Sequence, residues 1–105
     1  ENLIFTVTIE GFLAITEKET GSIIRFTDVF DKFKQHKRSN IKPVGFIVGS
    51  KNIYLTTDNG LLIIIEIFNG KSSSILKIDN EKISRPFILN KNLFIIKDNA
   101  IIKLN

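Results

Sequence analysis

The sequence predicts an all-β fold of antiparallel meander sheets, and three observations carry that expectation. Ile, Val, Leu, Phe and Thr gather in short runs of strand rather than helix length. The runs are broken by Asn-Gly, Asp-Asn, Glu-Gly and Thr-Gly pairs, and Asn and Gly best tolerate the positive φ of tight hairpins. Similar segments also recur along the chain, so one sheet pattern is expected more than once.

The elements follow in order. Leu3 to Thr8 reads as a strand, Glu10-Gly11 as a turn and Phe12 to Thr16 as the returning strand. Thr20-Gly21 leads into Ser22 to Phe26. The series resumes with Val44 to Val48, a turn at Gly49-Ser50, Ile53 to Thr57, the turn Asp58-Asn59-Gly60, and Leu61 to Phe68. Asn69-Gly70 turns the chain into Ser74 to Ile78. Phe87 to Leu89, Leu93 to Lys97 and Ala100 to Leu104 complete the set. Between the first and second groups lies a polar, basic stretch, Asp28 to Arg38, with aromatics at Phe26, Phe30 and Phe33. That spacing fits one or two helical turns with the phenyl rings on a shared face. Ser39-Asn40 and Pro43 end it.

Asn52-Ile53-Tyr54-Leu55-Thr56-Thr57-Asp58-Asn59-Gly60-Leu61-Leu62 has two partners in the chain. One runs from Asn2 to Leu13 and is longer by one residue; the other runs from Asn92 to Ile102. The starts Asn2, Asn52 and Asn92 lie 50 and 40 residues apart, and the extra length fits inside the basic connection. A four-stranded unit of about 40–45 residues has the period of a β-propeller blade. The chain therefore reads as one β domain over residues 1–105, with a blade-like repeat at 1–27, an irregular basic connection at 28–43, a second repeat at 44–84 and a partial final repeat at 85–105.

Composition bounds the chemistry. At 105 residues, 43% hydrophobic and 25% charged, the chain suits a single globular domain with a thin stability margin. It has no Cys, which excludes disulfides and thiolate metal sites, and one His. The net charge of +4 goes with heavy use of Lys, Ile and Asn, the mark of an AT-rich genome. The longest apolar stretch, Leu61 to Ile65, is far short of the ~20 residues of a spanning helix. The chain opens at Glu1 in a strand-like run, without an initiator Met or a visible signal peptide, as a processed chain or a fragment would.

Single residues point to little chemistry. His36 has no second His beside it, so a metal there would need carboxylates for nearly every other ligand. Ser72-Ser73-Ser74 follows a turn and lacks a base for a nucleophile. Glu17, Glu19 and Glu66 sit near strand ends, and Glu66 alternates against Ile65 and Ile67 as a solvated position. Asp58-Asn59-Gly60 and Asp98-Asn99 resemble calcium-loop fragments without the spacing of an EF-hand, and read as hairpin turns. No catalytic, cofactor or metal residues are expected. One patch has a functional character: Lys32, Lys34, Lys37, Arg38 and Lys42, interleaved with Phe30 and Phe33. Basic and aromatic residues together can track nucleic acid or anionic lipid, and these five are the expected contact for a partner or an anion. The competing reading anchors the phenyl groups on the blades and leaves the lysines in water.

The repeats resemble the pyrroloquinoline-quinone-like β-propeller family. Thr56 to Leu62 followed by Asn69-Gly70-Lys71 is the best match. Thr8 to Ile15 followed by Glu19-Thr20-Gly21 is the second, and Pro86 to Leu89 with Asn92 to Phe94 resembles the start of a final blade. The resemblance leaves out residues 28–42. One branch, the quinoprotein dehydrogenases, needs blade-docking Trp residues and an adjacent Cys pair that this chain lacks. The other branch holds non-enzymatic propellers, among them the lipoprotein propeller of the outer-membrane β-barrel assembly machinery, and the end at Ile101 to Asn105 is similar to the carboxyl end of such proteins. The resemblance implies a protein-interaction scaffold with no cofactor, periplasmic or outer-membrane-associated, with protein partners rather than nucleic acid. The alternatives are a fragment of a quinoprotein-like enzyme whose active residues lie elsewhere, and an anion- or nucleic-acid-binding module using the basic connection. Two and a half blades do not close a ring, so self-association or strand addition at open edges is expected.

Overall fold

The described residues of the computed structural model, 2–69 and 71–104, form ten strands and one short helix. Glu1, Gly70, Asn105 and the side chains of Ser72 and Ser73 lie outside the description, so the second residue of the Asn69-Gly70 turn and most of the serine run do too. The strands are β1 (Leu3–Val7), β2 (Phe12–Glu17), β3 (Ile23–Asp28), β4 (Pro43–Val48), β5 (Asn52–Thr57), β6 (Leu61–Glu66), β7 (Ser72–Lys77), β8 (Phe87–Leu89), β9 (Asn92–Lys97) and β10 (Ala100–Lys103). The helix α1 spans Gln35–Arg38. Three antiparallel sheets result: β1-β2-β3, β4-β5-β6-β7 and β8-β9-β10. The all-β, blade-like reading holds.

Two sequence expectations shift. The run from Leu61 ends as a strand at Glu66, and Ile67, Phe68 and Asn69 form a turn. Side-chain hydrogen bonds close it early: Asn69 Nδ2 donates to Glu66 Oε1 at 2.7 Å, and the Lys71 N–H donates to Asn69 Oδ1 at 2.9 Å. The helix begins only after Phe33, so the three phenyl groups share no helical face. Phe26 belongs to β3, where strand alternation turns it to the outside. The Phe30 N–H is taken by Asp28 Oδ1 at 3.1 Å, and the Phe33 N–H by the Phe30 carbonyl at 3.0 Å, which makes a turn.

The repeat is real, with a register one residue from the sequence alignment. Glu17 lies opposite Leu3, and Glu66 lies opposite Asn52. Leu3, not Asn2, therefore takes the place of Asn52, and the first two sheets match at a constant offset of 49 residues. Both hairpins then have one length. The Phe12 N–H donates to Thr8 Oγ1 at 3.1 Å, and the Leu61 N–H to Thr57 Oγ1 at 3.0 Å. The Val29 N–H reaches the Gly11 carbonyl at 2.9 Å, as the Ile78 N–H reaches Gly60 at 2.8 Å. A strand irregularity recurs at the same point, after Ile15 and after Ile64. The last sheet lies 40 residues on, as read: Asn92 pairs with Leu89 across a tight hairpin, where Asn52 accepts the Gly49 N–H.

These registers explain the core. Residues directly opposed across strands share a face. In the middle sheet Phe46, Leu55, Ile63 and Ile75 form one row, and Val48, Ile53 and Ile65 the next. Ile53, Leu55, Ile63 and Ile65 cluster with Leu13 and Ile15 of the first sheet and with Val29, Phe30 and Ile41 of the connection. The opposite face of the middle sheet carries Tyr54 and Ile64 in one row and Gly45, Thr56, Leu62 and Leu76 in the other. The stem of Arg85, leading into β8, lies over Gly45, so this face turns toward the last sheet, which buries Leu93 and Ile95. Strands β4 and β8 also approach each other. Leu13 and Ile15 match Leu62 and Ile64, while Leu93 and Ile95 match Ile53 and Leu55. Each sheet thus presents one kind of face forward and the other backward. That head-to-tail stacking, left open at both ends, is an incomplete propeller.

Candidate interaction surface

The basic connection is docked rather than loose. Phe30 is fully buried, with Phe33 edge-on to it at 5.9 Å between ring centroids. Arg38 closes the segment back onto β3 through a two-pronged ion pair with Asp28, Nη1 to Oδ2 and Nη2 to Oδ1 at 2.7 Å each. Its guanidinium also stands 5.9 Å from the centre of the Phe12 ring. Hydrogen bonding from Arg38 holds the Asp28 carboxyl below its ordinary range, against the opposing pull of desolvation, and Asp28 raises Arg38 in turn. Arg38 therefore serves the fold, while Lys32, Lys34, Lys37 and Lys42 stay exposed around it. Lys34 precedes α1 and its carbonyl accepts the Lys37 and Arg38 N–H groups, both at 2.9 Å. The Lys42 N–H donates to Asp58 Oδ1 at 3.0 Å. Of the five basic residues singled out, four are exposed and the fifth, Arg38, is held in the ion pair with Asp28.

The remaining candidates fall into turns. His36 is exposed on α1, and its carbonyl accepts from Ser39 Oγ at 3.1 Å. Asp58 tethers Lys42, and Asn59 Oδ1 accepts from Thr57 Oγ1. Asp98 and Asn99 hold φ of 52° and 64°, the hairpin conformation between β9 and β10. Asp79 is held low by the Asn80 N–H, donated at 2.7 Å, and also meets Lys97 Nζ at 3.4 Å. Among the described residues no three His, Cys, Asp or Glu side chains converge as metal ligands, and no helix is long and apolar enough to cross a membrane.

A different residue stands out. Phe68 is 87% exposed, the most exposed large apolar side chain among the described residues. It borders a 490 Å³ cleft with Ile67, Glu66, Ser50, Lys51 and Asn52. The turn carrying it is held from the neighbouring sheet: Arg25 donates to the Phe68 carbonyl and, at 3.1 Å, to the Asn69 carbonyl. The Ile67 N–H donates to the Lys51 carbonyl at 3.0 Å, joining the two turns that wall the cleft. Strand propensity hid this residue, because Phe68 reads as the tail of the Leu61 run. The signal lay in the comparison of repeats. At the offset of 49, Ile67 and Phe68 replace Lys18 and Glu19, so solvent-facing polar positions of one repeat are apolar in the next.

Solved structures share the architecture. The chain aligns over 97% of its length with BamB from Moraxella catarrhalis at a TM-score of 0.73 and 11% identity, covering 28% of that chain. It aligns over 98% with the computationally designed Ika8 protein at a TM-score of 0.68 and 9% identity, covering 30% of it. It aligns over 99% with the designed Ika4 protein at a TM-score of 0.53 and 11% identity, covering 85% of it. The chain spans under a third of the length of BamB and Ika8. No family model matches it, and no curated protein does. What it shares with these structures is the fold, an all-β, propeller-type stack of sheets.

Proposed function

We propose that this chain is a non-enzymatic, propeller-type interaction scaffold acting in envelope protein assembly, and that the Phe68 turn is its contact with a protein partner. The observation that carries the reading is Phe68 itself. An apolar ring 87% exposed on a turn clamped by Arg25 is pre-organised for an apolar side chain from a partner. Lys51 and Glu66 at the cleft supply a polar rim of both signs, the anatomy of a protein contact rather than of an anion site. The resemblance of the repeats to the outer-membrane assembly propeller, and the fold shared with BamB, support the envelope setting. The basic connection serves this scaffold structurally, with Arg38 committed to Asp28.

The test is photo-crosslinking in the producing cell, with the reactive residue in place of Phe68 or, for comparison, of Lys34. The expected result is a Phe68 adduct containing an outer-membrane assembly protein, reduced several-fold by Arg25→Ala. No protein adduct at Phe68 overturns the reading. Nucleic-acid adducts at Lys34 would replace it with the anion-binding module.

A further inference from the structure

We propose that the two open end faces of the stack join head to tail with those of a second copy, closing two chains into one six-sheet ring. The chain shows twice what such a junction looks like. At the first, Leu13 and Ile15 pack against Ile53 and Leu55. At the second, the middle sheet turns its Gly45, Thr56 and Leu62 face, the counterpart of Leu13 and Ile15, toward the last sheet, which buries Leu93 and Ile95, the counterparts of Ile53 and Leu55. One of each kind is left uncovered at the ends.

The outer face of the first sheet carries Thr6, Ala14 and Phe26 in one row and Ile4, Thr16 and Ile23 in the other. By the 49-residue offset these occupy the positions of Leu55, Ile63 and Ile75, and of Ile53, Ile65 and Ser72. Phe26 is 61% exposed and Ile23 63%, with Phe26 stacked on Phe12 at 5.3 Å. The outer face of the last sheet carries Phe87 and Phe94, stacked at 5.6 Å, with Ile96 opposite Ile101. These hold the positions of Ile47 and Tyr54, and of Thr56 and Leu62. Ile101 is 68% exposed. Neither face matches itself, so a two-fold contact of like ends has no precedent within the chain, whereas the unlike pairing has two. Unlike pairing is heterologous and forms a ring when its rotation closes. Three sheets per chain make six in two copies, within the ~4–8 blades of known propellers. The inference makes no use of Phe68, and the failure of either leaves the other standing.

The experiment is light scattering after size-exclusion chromatography over a micromolar concentration series, on the wild type, Phe26→Glu and Ile101→Glu. The expected wild-type mass is twice the 11.9 kDa of one chain. Each variant alone should be a monomer, because each lacks one half of the junction. An equimolar mixture should recover a two-chain species through the intact Phe26 end of one and the intact Ile101 end of the other. A monomeric wild type, a species larger than two chains, a variant that dimerises alone, or folded variants that do not complement would each overturn the proposal. Far-UV circular dichroism establishes folding. Should either variant lose its β spectrum, Ile23→Lys and Ile96→Lys take their places.

Discussion

Gly60 has no room for a methyl group. A Cβ there would lie 2.1 Å from the Asp79 carbonyl oxygen, at a φ of +84° that L-residues rarely adopt. Gly11 holds the same post in the first repeat, with φ +97° and a Cβ position 2.3 Å from the Phe30 ring. In both repeats the crowding residue comes 19 positions later, where the chain leaves the sheet and folds back over the hairpin. Gly21 also has positive φ, +76°, but open space around it. The three glycines separate two costs. Gly21→Ala should lose about 1–2 kcal/mol, the penalty of a left-handed L-residue. Gly60→Ala should lose clearly more, since the atom it meets is backbone and has little freedom to move aside. Urea unfolding of both variants measures the difference, and equal losses would mean that residues 78–81 are not held over the hairpin. Sequence showed these glycines as turn residues, because turn chemistry is local. It did not show their second duty, because close approach depends on a segment from the next connection.

The connection between β3 and β4 makes the same point for an element. Its two ends, Asp28 and Pro43, belong to β3 and β4, but its existence was legible from the break in strand pattern and from the repeat spacing. Its conformation was not, because the spacing of Phe26, Phe30 and Phe33 fits a helix equally well, and only the Asp28 carboxylate capping Phe30 decides for a turn. The Asp28–Arg38 clip now makes the element testable. Asp28 is depressed in the folded chain relative to its ordinary 3.8. Its contribution is therefore complete above that value and is lost as pH falls through the lower folded one. Arg38→Gln should lower Tm by a few degrees at neutral pH, a modest effect because the pair is partly exposed. The gap between variant and wild type should narrow as pH drops below about 4. A gap unchanged down to pH 2 would assign the loss to packing of Arg38 on Phe12 instead of to the ion pair. Phe30→Ala offers the contrast within one element: the ring is fully buried, so removing it should cost about 3–5 kcal/mol at any pH.

At the scale of the molecule, stability should be graded from the centre outward. The middle sheet is covered on both faces, and each end sheet on one. Period and turn chemistry made the three-fold repetition legible, since both are written along the chain. Which face of each sheet meets the next was hidden by the one-residue slip in alignment, because a slip of one reverses every side chain. With Leu3 set against Asn52 the faces sort into two kinds, and the gradient follows from them. In a chain this short, opening of the end sheets competes closely with global unfolding. Hydrogen exchange should therefore be slowest at the amides of β5 and β6, and faster through β1 to β3 and β8 to β10. Raising the protein concentration sharpens the test. Where end faces find each other, protection should rise in the outer sheets with little change in β5 and β6, whose faces are already covered. Uniform protection at every concentration would mean that the three sheets unfold as one unit and that no end face gains a neighbour. An outer gradient that persists at high concentration would mean that the sheets are separable but the ends stay open in water. Only concentration-dependent protection confined to the outer sheets joins the two properties that the repeats encode, a covered centre and two unlike faces in search of a complement.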